Sequence, residues 1–122
     1  MRAKTLWESF KYAGQGFAYS FKTQRNFRIH CAFTMLLAVA ISVLNLSPGE
    51  ILFLLSAAFA VLVSELINTA IEKTIDLHTT AYHPLAKTAK NCAAAAVLLA
   101  AVYAVIVALI IFLPVFLEMV RG

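Results

Sequence analysis

Three long runs of apolar residues dominate the pattern of hydrophobic and polar positions along the chain. The first covers residues 29–46. The second is free of charge over residues 51–64 and continues as a helix to residue 76. The third covers residues 85–117, with its unbroken apolar part starting at Cys92. A helix of about 20 residues crosses the roughly 30 Å hydrocarbon core of a bilayer, and each run supplies that length. The pattern therefore predicts three transmembrane helices.

A shorter segment at residues 5–22 has a different pattern, with apolar side chains on one helical face and lysines on another. The apolar positions are Leu6, Phe10, Ala13, Phe17 and Phe21. Such a pattern is typical of an amphipathic helix that lies in the membrane interface. This helix either serves only as an orienting anchor or also forms one wall of a site at the level of the lipid headgroups.

The composition fits a lipid environment. Of the 122 residues, 62% are hydrophobic and 13% are charged, whereas soluble domains average about 45–50% apolar and about 25% charged residues. The length predicts a single domain, residues 1–122, which is too small to bury so much apolar surface in water. The ten basic residues form no single patch, so we expect no nucleic-acid partner.

The basic residues also predict the orientation of the chain. Six of the ten precede the first span, three (Lys73, Lys87 and Lys90) flank the connection between the second and third spans, and the tenth is Arg121. By the positive-inside rule, the N-terminus and the second connection are cytoplasmic and the C-terminus is outside. Residues 1–22 contain no continuous apolar stretch, so no cleavable signal peptide is expected. The sequence predicts a multi-pass protein of the cell membrane.

Four oxygen-bearing side chains share one face of the second span over three helical turns, at about 100° per residue. They are Glu65, Asn68, Glu72 and Asp76. An ionised carboxylate facing lipid costs at least about 2.5–3.5 kcal/mol, so this face is expected to meet a partner helix or water and to have a function. Two simpler interpretations compete: Glu72 pairs with Lys73 or Lys90, and Glu65 is a neutral hydrogen-bonding link between helices.

Oxygen ligands at the edge of water, with lysines nearby, suit Mg²⁺ and a polyphosphate. Lys87, Lys90 and Asn91 share one face at the start of the third span. Lys90 either anchors the helix at the interface or faces the carboxylates and neutralises a phosphoryl group. The sequence contains neither GxxxxGK[ST] nor a complete GxGxxG motif, so nucleotide chemistry requires another architecture.

Three segments together carry a resemblance to a known family. They are ELINTAIExxID at residues 65–76, QRNFRIH at residues 24–30 and YHPLAKxAK at residues 82–90. The chain resembles the small integral-membrane diacylglycerol kinases and undecaprenol kinases of prokaryotes over about residues 5–117. The HPLAK run is more similar to the undecaprenol kinases.

The resemblance implies an all-α membrane protein, a helix-bundle homotrimer in which each chain has an interfacial helix and three transmembrane helices. Its active sites would lie between chains at the cytoplasmic interface and would transfer phosphate from ATP, with Mg²⁺, to the hydroxyl of undecaprenol or diacylglycerol. By matching positions, Glu65 would be the catalytic base, and Glu72 and Gln24 would bind the metal. The residues implied at the ATP site are Tyr12, Asn68, Glu72, Asp76, Tyr82, His83, Lys90 and Asn91.

Two positions depart from the family pattern. Gln24 stands where the family often has Glu, and Asn91 stands where it normally has Asp. Because an amide carries no negative charge, one alternative is a catalytically weakened or silent family member. A second alternative is a small proton-coupled transporter, although the acidic residues lie toward one end of the second span and lysines face them.

The Asn91 departure leads to a direct test. Asn91→Asp restores the carboxylate of the family pattern and should raise the rate of phosphate transfer if the amide weakens the enzyme. The rate is measured as ³²P transfer from ATP to lipid in mixed micelles. An unchanged or lower rate would show that Asn91 suits its own surroundings and does not weaken the enzyme.

Overall fold

The chain is helical throughout nearly all of the part that the computed structural model describes, residues 2–122. Its four helices are α1 (Leu6–Thr23), α2 (Arg25–Val43), α3 (Pro48–His78) and α4 (Pro84–Arg121). The last three are long and apolar enough to cross a membrane. The structure therefore confirms an all-α membrane protein with an N-terminal helix and three membrane helices.

The corner between α1 and α2 is at Gln24. Helix α2 therefore begins four residues before the predicted start at residue 29, and it ends at Val43, three residues before the predicted end at residue 46. Gln24 has an extended backbone (φ −108°, ψ 110°), which ends α1 and lets α2 start at Arg25. The guanidinium of Arg28 donates to the carbonyls of Phe21 and Lys22, both at 3.0 Å. A cation is favourable there because the C-terminus of a helix carries a partial negative charge.

The starts of α3 and α4 are fixed by N-terminal caps, which place both helices slightly earlier than predicted. The Ser47 hydroxyl accepts from the Glu50 N–H at 3.2 Å, and the Glu50 carboxylate accepts from the Ser47 N–H at 3.0 Å. This capping box and Pro48 set the start of α3. In α4, Nδ1 of His83 accepts from the Leu85 N–H at 3.1 Å.

Helix α4 also runs further than predicted, past Pro114 to Arg121. The proline removes one backbone donor near the end of the helix, and the remaining turns continue. Residues 44–47 and 79–83 form short connections, so α2, α3 and α4 are antiparallel neighbours. Helices α3 and α4, with 31 and 38 residues, are about 46 Å and 57 Å long, so both extend beyond a hydrocarbon core of roughly 30 Å.

The start of α2, the second half of α3 and the start of α4 meet at one end of the bundle. We call this end, formed by residues 24–30, 65–78 and 83–91, the polar end. The apolar core lies toward the opposite end, where Leu54 and Ala57 of α3 pack against Val107 and Ile111 of α4. Most other large apolar side chains of the membrane helices are exposed and face lipid or another chain. The polar end is thus separated from the core along the bundle.

Helix α1 is attached to the bundle through aromatic packing. Phe27 of α2 is fully buried, and its ring packs edge-on against Phe17 of α1, with ring centroids 5.0 Å apart. The ammonium group of Lys73 on α3 lies 6.0 Å from the ring centre of Tyr19 on α1. Because α1 touches both α2 and α3, it is positioned to form a wall of the polar end as well as an anchor.

This packing predicts the effect of truncating Phe27. Removing a buried aromatic ring costs about 3–5 kcal/mol, so Phe27→Ala should markedly lower the midpoint of thermal unfolding in detergent. Phe53→Ala is the control, because Phe53 is 60% exposed on α3, and it should change the midpoint little. Equal effects of the two substitutions would contradict the assignment of Phe27 as the residue that attaches α1.

Candidate active site at the polar end

The four oxygen-bearing side chains predicted on α3 become progressively more exposed along the helix. Glu65 is 5% exposed, Asn68 and Glu72 are half-buried, and Asp76 is exposed. With a rise of 1.5 Å per residue, Glu65 and Asp76 are about 16 Å apart along the helix axis. The polar face of α3 thus leads from the interior of the bundle to the surface of the polar end.

Glu65 faces α2, where its Oε1 lies 3.4 Å from Nε2 of His30. One turn further along α3, the Thr69 hydroxyl is buried and donates to the backbone carbonyl of Glu65 at 2.9 Å, away from the carboxylate. Within residues 2–122, His30 is the single charged or titratable partner of Glu65. A buried carboxylate needs such a partner because leaving it unpaired is costly. Glu65 therefore contacts a second helix through His30, as one of the simpler interpretations of the sequence predicted.

An apolar groove of about 620 Å³ lies between α2, α3 and α4, and His30 lines it at the polar end. Along α2 the groove extends from His30 to Leu44, a distance of about 21 Å. Nearly all of the lining is hydrocarbon, with Thr34 as a second polar side chain. The groove therefore suits an apolar chain lying along the helices, with a polar head group beside Glu65 and His30.

Asn68 and Glu72 form a second polar pair, one to two turns beyond Glu65. Nδ2 of Asn68 donates to Oε1 of Glu72 at 3.4 Å, and Oδ1 of Asn68 is buried without a hydrogen-bond partner. Leaving a buried acceptor unsatisfied costs about 1–3 kcal/mol, so a bound ligand or ion would relieve it. Amide and carboxylate oxygens are ligands that suit Mg²⁺.

The second metal ligand implied by the resemblance, Gln24, lies at the corner between α1 and α2. Its amide donates to the Thr23 hydroxyl at 3.2 Å, and no hydrogen bond described for the chain joins it to Glu72. The described residues contain no group of three or more His, Cys, Asp or Glu side chains able to hold a metal. A Mg²⁺ ion here would therefore take most of its ligands from water and phosphate, as this ion commonly does.

Lys90 faces the acidic side chains of α3, as one interpretation of the sequence predicted. Its ammonium group lies 2.7 Å from the carboxylate of Asp76, and the two side chains are 40% and 41% exposed. Lys90 thus pairs with Asp76 and not with Glu72. The simpler interpretation, in which Glu72 forms an ion pair with Lys73 or Lys90, is therefore wrong. An ion pair this exposed adds little to stability, so both groups are free to exchange partners when an anion binds.

No described hydrogen bond joins the other predicted nucleotide-site residues to the carboxylates of α3. Tyr12 on α1 and Tyr82 before α4 are exposed, and Asn91 is exposed next to Lys90. His83 uses Nδ1 to cap α4. The role of these four residues at an ATP site stays a prediction.

The sequence analysis predicted no role for His30, although this residue ends the QRNFRIH segment at residues 24–30. The available signal was a titratable side chain near the start of an otherwise apolar span, where polar residues usually face the interior of the bundle. The pattern of residues along the chain does not indicate which face of α2 packs against α3. The contact between His30 and Glu65 is therefore seen only in the structure.

Comparison with known proteins gives consistent matches. Residues 11–112 match the family model described as prokaryotic diacylglycerol kinase. A diacylglycerol kinase from Synechocystis sp. is 45% identical over 118 residues, covering 96% of this chain and 67% of that protein. An undecaprenol kinase from Bacillus subtilis is 44% identical over 111 residues, covering 89% of each chain. A diacylglycerol kinase from Pseudomonas aeruginosa is 31% identical over 97 residues, covering 80% of this chain and 79% of that one.

A membrane bundle with these matches is an enzyme of the membrane lipid kinase class, for which ATP is the phosphate donor. In particular, the chain belongs to the prokaryotic diacylglycerol kinase family. The resemblance carried by the three sequence motifs is thereby confirmed, and the kinase is favoured over the transporter.

Proposed function

We propose that the protein transfers the γ-phosphoryl group of ATP, together with Mg²⁺, to the hydroxyl of a long-chain lipid alcohol at the cytoplasmic face of the membrane. The observation that carries this proposal is the position of Glu65, a buried carboxylate beside the residue that heads an apolar groove. The relatives are named for diacylglycerol and undecaprenol, which are the two candidate acceptors.

In this proposal the lipid tail lies in the groove and the hydroxyl reaches the polar end. The tail leaves hydrocarbon for hydrocarbon, so the transfer itself gains little free energy. The contribution of the groove is orientation, which holds the hydroxyl at the depth of Glu65 and converts an encounter into a positioned reaction.

Glu65 acts as the general base. As the lipid oxygen forms its bond to the γ-phosphorus, the bond from that phosphorus to the bridging oxygen breaks, ADP leaves, and the hydroxyl proton passes to the Glu65 carboxylate. Base catalysis of this kind contributes about 10²–10⁴-fold to the rate. The burial of Glu65 also keeps water from competing with the lipid for the phosphoryl group.

The more exposed part of the same α3 face would bind the nucleotide. Glu72 and Asn68, assisted by Gln24, would hold Mg²⁺, which when bound neutralises phosphate charge. Lys90 would exchange Asp76 for a phosphate oxygen, since charge-assisted bonds of this kind are strong. The remaining residues proposed at the nucleotide are Tyr12, Asp76, Tyr82, His83 and Asn91.

We also propose that the active site is shared between chains of a homotrimer, with the number of chains taken from the family resemblance. In one chain, Lys90 pairs with Asp76, which is about 16 Å along α3 from Glu65. Lys90 and Asp76 are both exposed in the single chain, so this part of the polar face lacks a wall. A neighbouring chain would supply the missing wall and cover the polar face of α3, which is expensive to expose to lipid.

Glu65→Gln tests the base directly. The substitution keeps the size of the side chain but removes its capacity to accept the proton, so turnover should fall by about 10²-fold or more while ATP binding is retained. Phosphate transfer is measured in mixed micelles with diacylglycerol and, separately, with undecaprenol. Glu118→Gln, near the end of α4 far from the polar end, is the control and should keep the parent rate. Turnover of Glu65→Gln within a few-fold of the parent would remove Glu65 from this role.

A subunit-mixing experiment tests the shared site. Inactive Glu65→Gln chains are combined with inactive Lys90→Ala chains under conditions that allow exchange, followed by the same assay. If Glu65 and Lys90 act from different chains, some interfaces regain both intact residues and activity returns. Failure to regain activity, despite exchange demonstrated with two labelled chains, would mean that both residues act within one chain.

A further inference from the structure

The contact between His30 and Glu65 has no part in the mechanism proposed above. His30 belongs to α2, its side chain is 27% exposed, and it lines the polar end of the apolar groove. Glu65 reaches it from α3, with 3.4 Å between Nε2 and Oε1. One imidazole therefore lies both beside the carboxylate and at the place where the hydroxyl of a lipid in the groove would enter.

A glutamate used as a base has to be held still. Its long side chain has several rotamers, and a proton acceptor works only when it lies within about 2.6–3.2 Å of the proton donor. The Thr69 hydroxyl bonds the backbone carbonyl of Glu65 and leaves the carboxylate untouched. Among the polar contacts described for residues 2–122, the one made by this carboxylate is with His30.

We propose that His30 is a positioning residue for Glu65. In this role, Nε2 of His30 would donate to Oε1 of Glu65 when substrate is bound, which would fix the rotamer of Glu65 and leave the other carboxylate oxygen for the lipid hydroxyl. In the structure the two side chains are in contact at 3.4 Å without a described hydrogen bond, and catalytic hydrogen bonds that are long or poorly aligned without substrate often tighten when it binds. This inference depends on the proposed role of Glu65 as the base.

A purely structural role would be an interhelical link between α2 and α3, of the kind that polar side chains commonly provide in membranes. The two roles differ in what they change. If His30 only links the two helices, its substitution lowers the stability of the bundle and does not depend on the catalytic function of Glu65. A positioning residue changes kcat, leaves KM for both substrates unchanged, and acts only while Glu65 is present.

The experiment is a double-mutant cycle with a rescue variant. His30→Leu should lower kcat by about 10- to 100-fold, the size of effect expected when a reacting group is misplaced by about 1 Å, with KM for lipid and ATP unchanged. His30→Gln places an amide N–H at a similar reach and should retain most of the parent kcat. In the Glu65→Gln background, His30→Leu should cause no further loss, because its effect passes through the carboxylate.

The control is His78→Leu, the same change at an exposed histidine in the last turn of α3, and it should leave kcat unchanged. Parent-like kcat in His30→Leu would overturn the inference, as would an equal loss in both backgrounds or a His30→Gln variant as impaired as His30→Leu. If His30→Leu does not fold, His30→Asn replaces it, since its amide is too short to reach Glu65. Parent-like turnover in Glu65→Gln alone would instead overturn the proposed function.

Discussion

A carboxylate placed inside a membrane bundle has to be partnered, and the arrangement of the polar end follows from that constraint. An unpaired charge facing lipid costs at least about 2.5–3.5 kcal/mol, so Glu65 of α3 is stable where α2 presents His30. The corner at Gln24 and the contacts of Arg28 with the end of α1 set where α2 begins and therefore where His30 lies. The fully buried Phe27 holds α1 over the same region.

The membrane also separates two tasks that a soluble kinase has to combine. Hydrocarbon surrounds both the outside of the bundle and the groove, so holding the lipid tail requires shape more than hydrophobic driving force. Charge is handled elsewhere, on the face of α3 that runs from the buried Glu65 to the exposed Asp76. In the proposed mechanism, the water-soluble donor and the membrane-bound acceptor would bind toward the two ends of this one polar face.

Much of this architecture could be predicted from the sequence, because lipid imposes simple length and charge rules on it. Apolar runs gave the three spans, helical spacing gave the amphipathic helix, and the 100° period placed Glu65, Asn68, Glu72 and Asp76 on one face. Helix ends differed by a few residues, since they depend on caps such as the Ser47 box. The partner of Glu65 and the groove were beyond prediction because they depend on how α2 and α3 are rotated against each other. The roles of the catalytic, metal-binding and nucleotide-site residues, from Glu65 to Tyr12 and Tyr82, stay predictions.

The continuity of α3 from Pro48 to His78 has a consequence for substrate choice. Since Glu65 and Glu72 belong to one unbroken helix, their separation of about 10 Å along its axis is set by the helical rise and does not adapt to the acceptor. With Glu65 as the proposed base, the acceptor would have to bring its hydroxyl to a fixed depth below the headgroup plane. Selection would then depend on where along the lipid the hydroxyl is attached, and two lipids with very different tails would satisfy it equally when each carries that hydroxyl at its polar end.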